Sequence, residues 1–265
     1  MSVVPNHARI RLEQGQLSLG IGLRQARTPD IAEIAHAAGF DWLFVDCEHN
    51  SMSLDTASGI CAAALATGIT PLVRVAPGET AQATRLLDTG AMGIVFPHIE
   101  TAVEAEAIAS ACRFPPIGHR SVPGLLPQAR FRPVPLPQLI EAVNREVLVV
   151  AMLESPKALE NAAEIAAVPG IDVVLMGGTD MAAEMGIPGQ LGHDRMEAAV
   201  KHVVTVCRAA GKHPGVGGIY DHTLMERYIG YGARFILSGS DLAFMMMGAQ
   251  LRTSFLRGLT LPNAA

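Results

Sequence analysis

The sequence predicts an α/β fold, a single (β/α)8 TIM barrel spanning residues 1–265. Three observations lead there. Short apolar runs alternate with helical stretches eight times, in units of roughly 25–30 residues. The runs are apolar on both faces, as buried parallel strands are. Several of them also end abruptly in charge. Phe40-Asp41-Trp42-Leu43-Phe44-Val45 runs into Asp46, Glu48 and His49; 147–153 runs into Glu154; 171–176 runs through Gly177-Gly178-Thr179 into Asp180. Charge at that density is tolerated only where strands open to water, which in a barrel is the C-terminal mouth. An open doubly wound sheet is the competing fold. The count of eight decides against it, and Gly20-Ile21-Gly22 and Gly215-Val216-Gly217-Gly218 are only fragments of a dinucleotide fingerprint.

In chain order, residues 8–13 form a short helix closing one end, and 17–23 form the first strand. Thr28-Pro29-Asp30 caps a helix over 31–38 that stops at Gly39. The second strand lies in 40–49. Helix 54–67 ends at Gly68, strand 70–75 follows, and helix 79–88 stops at Gly90. Strand 92–96 leads through Pro97-His98 into helix 102–112. Residues 115–137, rich in proline and carrying Arg120, Arg130 and Arg132, are irregular and read as a lid or a subunit contact. A helix near 139–144 precedes strand 147–153, helix 156–167, strand 171–176, helical turns at 180–185 and helix 194–210. Strand 214–218, helix 221–228, strand 234–237 and helix 241–256 complete the chain.

At 49% hydrophobic residues and mean hydropathy +0.30 the chain can bury an extensive core. The net charge of -5 and the scattered arginines exclude a nucleic-acid or anionic-membrane partner and favour a small molecule. The four cysteines, Cys47, Cys61, Cys112 and Cys207, show no CxxC spacing and read as free thiols of a reducing cytosol. With no secretory leader pattern and no membrane-length apolar run, the expected location is cytoplasmic.

Glu154 and Asp180 end adjacent strands, so two hard oxygen ligands converge in a pattern that suits Mg²⁺ or Mn²⁺; the alternative is a pair of acids serving helix N-termini. Asp46 beside His49 makes a general-base pair, or else His49 is an ordinary solvated residue. Arg74, in an apolar run, clamps a substrate oxygen or forms a buried ion pair with Asp46 or Glu48. The Gly177-Gly178-Thr179 turn is able to aim backbone N–H groups at a carboxylate. His98 and His119 are weaker candidates. Phe244-Met245-Met246-Met247 with Leu251 and Phe255 reads as core or subunit interface. The three lysines, Lys157, Lys201 and Lys212, lie away from the mouth, so a Schiff base is excluded and carbonyl chemistry here requires a metal as electron sink.

From about Gly20 to Leu256 the chain resembles the metal-dependent 2-keto-acid aldolases of the aldolase/citrate lyase superfamily, of the 4-hydroxy-2-oxoheptanedioate aldolase type. The likeness is carried by Phe40-Asp41-Trp42-Leu43 through Asp46, Glu48 and His49, by Pro71-Leu72-Val73-Arg74, by Pro115-Pro116 with Gly118 and Arg120, by Leu153-Glu154, and by Gly177 and Asp180 followed by Met185-Gly186. The resemblance implies a lyase cleaving a 4-hydroxy-2-keto acid to pyruvate, or a related keto acid, and an aldehyde. It implies that Glu154 and Asp180 ligate a divalent ion (Mg²⁺, Mn²⁺ or Co²⁺), that His49 with Asp46 acts as base through a metal water, and that Arg74 holds the keto-acid oxygens. The carboxylate then falls to the amides of Gly177, Gly178, Thr179 and Asp180. It further implies a hexamer, a trimer of dimers, with the C-terminal helix exchanged between subunits. The chain departs from the family pattern at Met152, at Gly178-Thr179 and at Ser121. Competing functions on the same scaffold are a citrate-forming or decarboxylating C–C synthase and a non-catalytic ligand-binding barrel.

Overall fold

Strand parity decides the architecture. In the computed structural model, which describes residues 3–261, eight parallel strands pair in chain order and close on themselves. They are β1 (Ser18–Leu23), β2 (Trp42–Asp46), β3 (Thr70–Arg74), β4 (Gly93–Phe96), β5 (Leu148–Leu153), β6 (Val173–Gly177), β7 (His213–Gly217) and β8 (Phe235–Ser240). Closure is made by β1 on β8, Ser18 opposite Phe235, which removes the open-sheet alternative. Trp42, Phe44, Leu72, Val150, Met152, Leu175 and Phe235 point into the barrel. Their neighbours Leu43, Val45, Val73, Ala151 and Val174 point outward and pack under the helices. Both faces are therefore apolar, as a parallel barrel requires.

Glycine makes room for the large inward residues. A Cβ on Gly20 would stand 2.3 Å from Trp42 Cε2, and the Trp42 indole is already fixed by stacking on Phe235 with centroids 4.1 Å apart. We expect Gly20→Ala to destabilise the protein by about 1–3 kcal/mol through overpacking, offset only in part by the chain-entropy gain of about 0.5–1 kcal/mol. Urea unfolding of the two proteins measures it, and equal midpoints would show that the indole shifts freely.

The surrounding helices are α1 (His7–Glu13), α2 (Ile31–Ala37), α3 (Leu54–Thr67), α4 (Thr80–Asp88), α5 (Ala102–Cys112), α6 (Leu136–Glu146), α7 (Pro156–Glu160), α8 (Ala162–Ala167), α9 (Gly178–Glu184), α10 (Asp194–Ala210), α11 (His222–Tyr231) and α12 (Asp241–Arg257). Their ends follow local chemistry. Ser53 caps α3 through Thr56 N, Gly68 ends it with φ 88°, and Thr101 with Glu104 forms a capping box on α5. α1 plugs the bottom of the barrel with Ala8 and Leu12. All four cysteines are free, and Cys61, Cys112 and Cys207 are buried. Among the described residues no helix is long and apolar enough to cross a membrane.

Four expectations need correction. The helix expected over 156–167 is two, because Asn161 leaves helical geometry (φ -91°, ψ 6°) and turns its Nδ2 to Glu100 O. α6 begins at Leu136, three residues early, since a proline in the first turn has no backbone bond to lose. Residues 115–137 form no lid over this chain's mouth. α5 runs away from the mouth, so its C-terminal connection lies at the opposite end. There Arg120 binds Asp88 at 2.6 Å, and Gln128 Nε2 donates to Leu87 O and Ala91 O. The apolar stripe of α12 is not core. The helix packs on β1 and β8 yet has no buried residue.

Candidate active site at the barrel mouth

The inward parity that fills the barrel continues past the strand ends and becomes the site. After Trp42 and Phe44 the next inward residue of β2 is Asp46; after Leu72 on β3 it is Arg74; after Val150 and Met152 on β5 it is Glu154. These three are 1%, 4% and 2% exposed. Above them opens a cavity of about 520 Å³ floored by Phe44, Met152 and Leu237 and lined by Asp46, His49, Arg74 and the turn Gly177, Gly178, Thr179, Asp180. That size is ordinary for a small-molecule site.

Arg74 is held on three nitrogens. Nε and Nη2 donate to the two Asp46 oxygens at 3.0 and 2.7 Å, and Nη1 stands 2.9 Å from Glu48 Oε2. Its guanidinium also lies 5.0 Å from the Phe44 ring centroid. Burial alone would raise the Asp46 carboxyl; the Arg74 hydrogen bonds and charge, with the amides of Glu48 and His49, hold it below its ordinary value. The ion-pair alternative for Arg74 is thus what the structure shows, with both acids, and Arg74 also lines the cavity.

The Asp46–His49 side-chain pair is not formed. Asp46 is engaged by Arg74 and by the backbone N–H groups of Glu48, at 3.1 Å, and His49, at 3.4 Å, and makes no bond to the His49 ring. The carboxylate beside the His49 imidazole is Glu48, with Nε2 3.6 Å from Oε2. That buried oxygen is the one that stands 2.9 Å from Arg74 Nη1, so Glu48 lies between the guanidinium and the imidazole.

Glu154 follows β5 directly, whereas Asp180 sits in the first turn of α9, a turn beyond the end of β6. The His98 amide donates to Glu154 Oε2 at 2.9 Å, and the His98 ring lies 3.4 Å from the same oxygen. Burial pushes the Glu154 carboxyl up to about 7; the Asp180 charge adds to that, against the lowering pull of the His98 amide and of Arg74. A buried carboxylate raised by burial and by the charge of a second carboxylate, at the wall of a cavity, fits a hard divalent ion. The Gly177 backbone closes the other side, since a Cβ there would come 2.9 Å from Glu154 Oε1. Among the described residues no three His, Cys, Asp or Glu converge on one point; the oxygen donors that could face an ion here are the carboxylates of Glu154 and Asp180, a donor type that suits a hard divalent cation.

Sequence reasoning ranked His98 low and passed over Arg24, Tyr220 and the structural importance of Glu48. His98 has φ 54°, a left-handed conformation unusual for a side-chain-bearing residue; its bond to Glu154 holds it there. Arg24 and Tyr220 line the mouth after β1 and β7. The strand-end rule that found Glu154 would have found them too.

A family model described as HpcH/HpaI aldolase/citrate lyase matches residues 24–247. A 4-hydroxy-4-methyl-2-oxoglutarate aldolase of Hapsidospora irregularis is 39% identical over 244 residues, 90% of each chain. The solved structure of an HpcH/HpaI aldolase from Desulfitobacterium hafniense superimposes with TM-score 0.91 at 28% identity, covering 97% of this chain and 98% of that one. That of a citrate synthase gives TM-score 0.82 at 28% identity, covering 94% and 98%.

Proposed function

The chain belongs to the HpcH/HpaI aldolase/citrate lyase family and is an aldolase, a carbon–carbon lyase; from that premise we propose that it reversibly cleaves a 4-hydroxy-2-keto acid to pyruvate, or a pyruvate-like keto acid, and an aldehyde. One observation carries the proposal: His49, Arg74 and the 177–180 turn share one cavity with Asp180, against whose wall Glu154 is buried.

Glu154 and Asp180 would hold the divalent ion, Mg²⁺ or Mn²⁺ by their donor type, which when bound supplies the positive charge that stabilises an enolate. The chain's own residues do the rest. Amides of the 177–180 turn take the substrate carboxylate, and Arg74 steadies the keto oxygen. His49 accepts the proton of the C4 hydroxyl, the C3–C4 bond breaks with its electron pair moving into the enolate, and C4 leaves as the aldehyde. Glu48 stabilises the imidazolium so formed. A proton returned to C3 completes the pyruvate methyl group.

The exposed apolar face of α12, with Met245, Met247, Leu251 and Phe255 open to solvent, supports exchange of this helix between subunits of a hexamer. Residues 115–137 are proposed to serve as a subunit contact, and the cytoplasm as the compartment.

The test is proton NMR of pyruvate in D₂O with Mg²⁺, then with excess chelator. The expected outcome is methyl exchange that needs the ion and falls by about 10²- to 10⁴-fold in His49→Ala. An unchanged rate would return His49 to a structural role. Absence of exchange in a protein that binds the ion would favour the citrate-forming synthase. That alternative has weaker support, because the aldolase relative is 39% identical and the citrate synthase 28%.

A further inference from the structure

We propose that His98 is a positioning residue for the divalent ion: its ring, together with its backbone amide, holds Oε2 of Glu154 and leaves Oε1 as the oxygen turned to the ion. The proposal rests on the metal assignment of Glu154 and Asp180 above and deepens it.

The two oxygens of Glu154 have different surroundings. Oε2 accepts the His98 amide at 2.9 Å and has His98 Nδ1 3.4 Å away. Oε1 accepts no hydrogen bond among the described residues and faces the Gly177 backbone, where a Cβ would stand 2.9 Å from it. Gly177 itself lines the cavity. A carboxylate with one oxygen engaged by the protein and the other unpartnered at a cavity wall is a ligand whose orientation is set in advance. Ligating carboxylates are held by outer partners in this way.

The backbone of His98 serves the same end. Its φ of 54° lies in the left-handed region, where glycine is unstrained and a side-chain-bearing residue is not. Glycine would deliver the amide to Glu154 at less conformational cost, so the amide alone does not account for a histidine here; the ring does. The turn is also tied to the stretch of chain that carries Glu154. Ile99 N donates to Met152 O at 3.2 Å, and Asn161 Nδ2 donates to Glu100 O at 2.7 Å. His98 and Glu154 are thereby kept in fixed relation from both sides.

The other edge of the ring reaches a second acid. Nε2 lies 3.9 Å from Glu48 Oε1, and Glu48 Oε2 stands 2.9 Å from Arg74 Nη1 and 3.6 Å from His49 Nε2. His98 therefore sits between the carboxylate assigned to the ion and the cluster that carries the base. An imidazole with a carboxylate at each ring nitrogen is oriented by both, and it passes that orientation to Glu154.

The experiment titrates Mn²⁺ by calorimetry into the wild type, His98→Gly, His98→Asn and Glu154→Gln, with thermal unfolding of each metal-free protein alongside. Glycine keeps the amide, suits the backbone and removes only the ring. Asparagine tolerates the same backbone and offers a side-chain N–H. The expected result is that His98→Gly weakens Mn²⁺ binding by about 10- to 100-fold with no fall in Tm, and that His98→Asn recovers part of the affinity. Wild-type affinity in His98→Gly, while Glu154→Gln loses the ion, overturns the role of His98 and leaves the metal assignment standing. Affinity and Tm that fall together in both His98 variants also overturn it and make the ring a brace for the fold. A wild type that binds no Mn²⁺ removes the metal assignment, and the role of His98 with it.

Discussion

Glu154→Gln and Asp180→Asn are each expected to lower turnover by about 10³-fold or more and to abolish tight Mn²⁺ binding. Glutamine keeps the shape of Glu154 and still accepts the His98 amide, which now donates at 2.9 Å, so the local fold survives and only the charge is lost. The magnitude follows from what the charge does. Removing one group that stabilises developing negative charge costs roughly 10²- to 10³-fold, and losing the ion removes a Lewis acid worth several kcal/mol of transition-state stabilisation. Calorimetric titration with Mn²⁺ reads the binding loss without reference to activity. The physical cause is visible in the pair: burial, with the Asp180 charge acting in the same direction, pushes Glu154 up to about 7. Such a pair is costly unless a cation is shared. Wild-type affinity for Mn²⁺ in both variants, or full turnover under excess chelator, would end the metal assignment.

Much of this site could be read from strand parity, because alternate residues of a buried strand face one way whatever the surroundings. Asp46, Arg74 and Glu154 are each two positions beyond an inward apolar residue, and the structure puts all three at the mouth. Pairing was not legible in the same way. Nothing in the order of residues says that Arg74 would outbid His49 for Asp46, since that depends on a register, Asp46 opposite Arg74, made by two strands in space. His98 was hidden by its backbone: a φ of 54° turns its amide onto Glu154, and no composition rule anticipates it. The place of residues 115–137 was within reach. A connection that follows the helix after β4 and precedes β5 must begin and end away from the mouth, and chain direction alone argued against a lid. α12 was the reverse case, because Phe244, Met245, Met246 and Met247 have the composition of a core and only the absence of covering chain shows that they are not one.

Arg74→Ala is expected to be the most damaging single change to both stability and activity. It leaves Asp46 and Glu48, 1% and 7% exposed on their side chains, without the guanidinium that joins them; the remaining arginine, Arg24, is 3.7 Å from Asp46 and 42% exposed. Breaking a buried ion pair from one side costs about 3–5 kcal/mol, which for a chain of this length is a fall of roughly 10 °C in Tm. The pH dependence identifies the cause. In the wild type Asp46 is held below 3.8, so its contribution to stability is present above that value and is lost as pH falls through the lower folded one. Without Arg74 only the amides of Glu48 and His49 and the more distant Arg24 oppose the burial of Asp46, so its folded value rises and the variant loses less stability than the wild type as pH falls from 7 towards 4. The gap in Tm between the two proteins should therefore narrow with acidification. A gap that stays constant with pH would assign the loss to packing, including the Arg74 contact with the Phe44 ring, rather than to charge. Arg74→Lys separates stability from catalysis. A lysine restores a positive charge between the acids and with it part of the Tm, but it lacks the planar fork that binds Asp46 through two nitrogens at the wall of the cavity. Its turnover should stay close to that of Arg74→Ala, and recovery of both properties together would mean that charge alone is what the keto acid needs from this position.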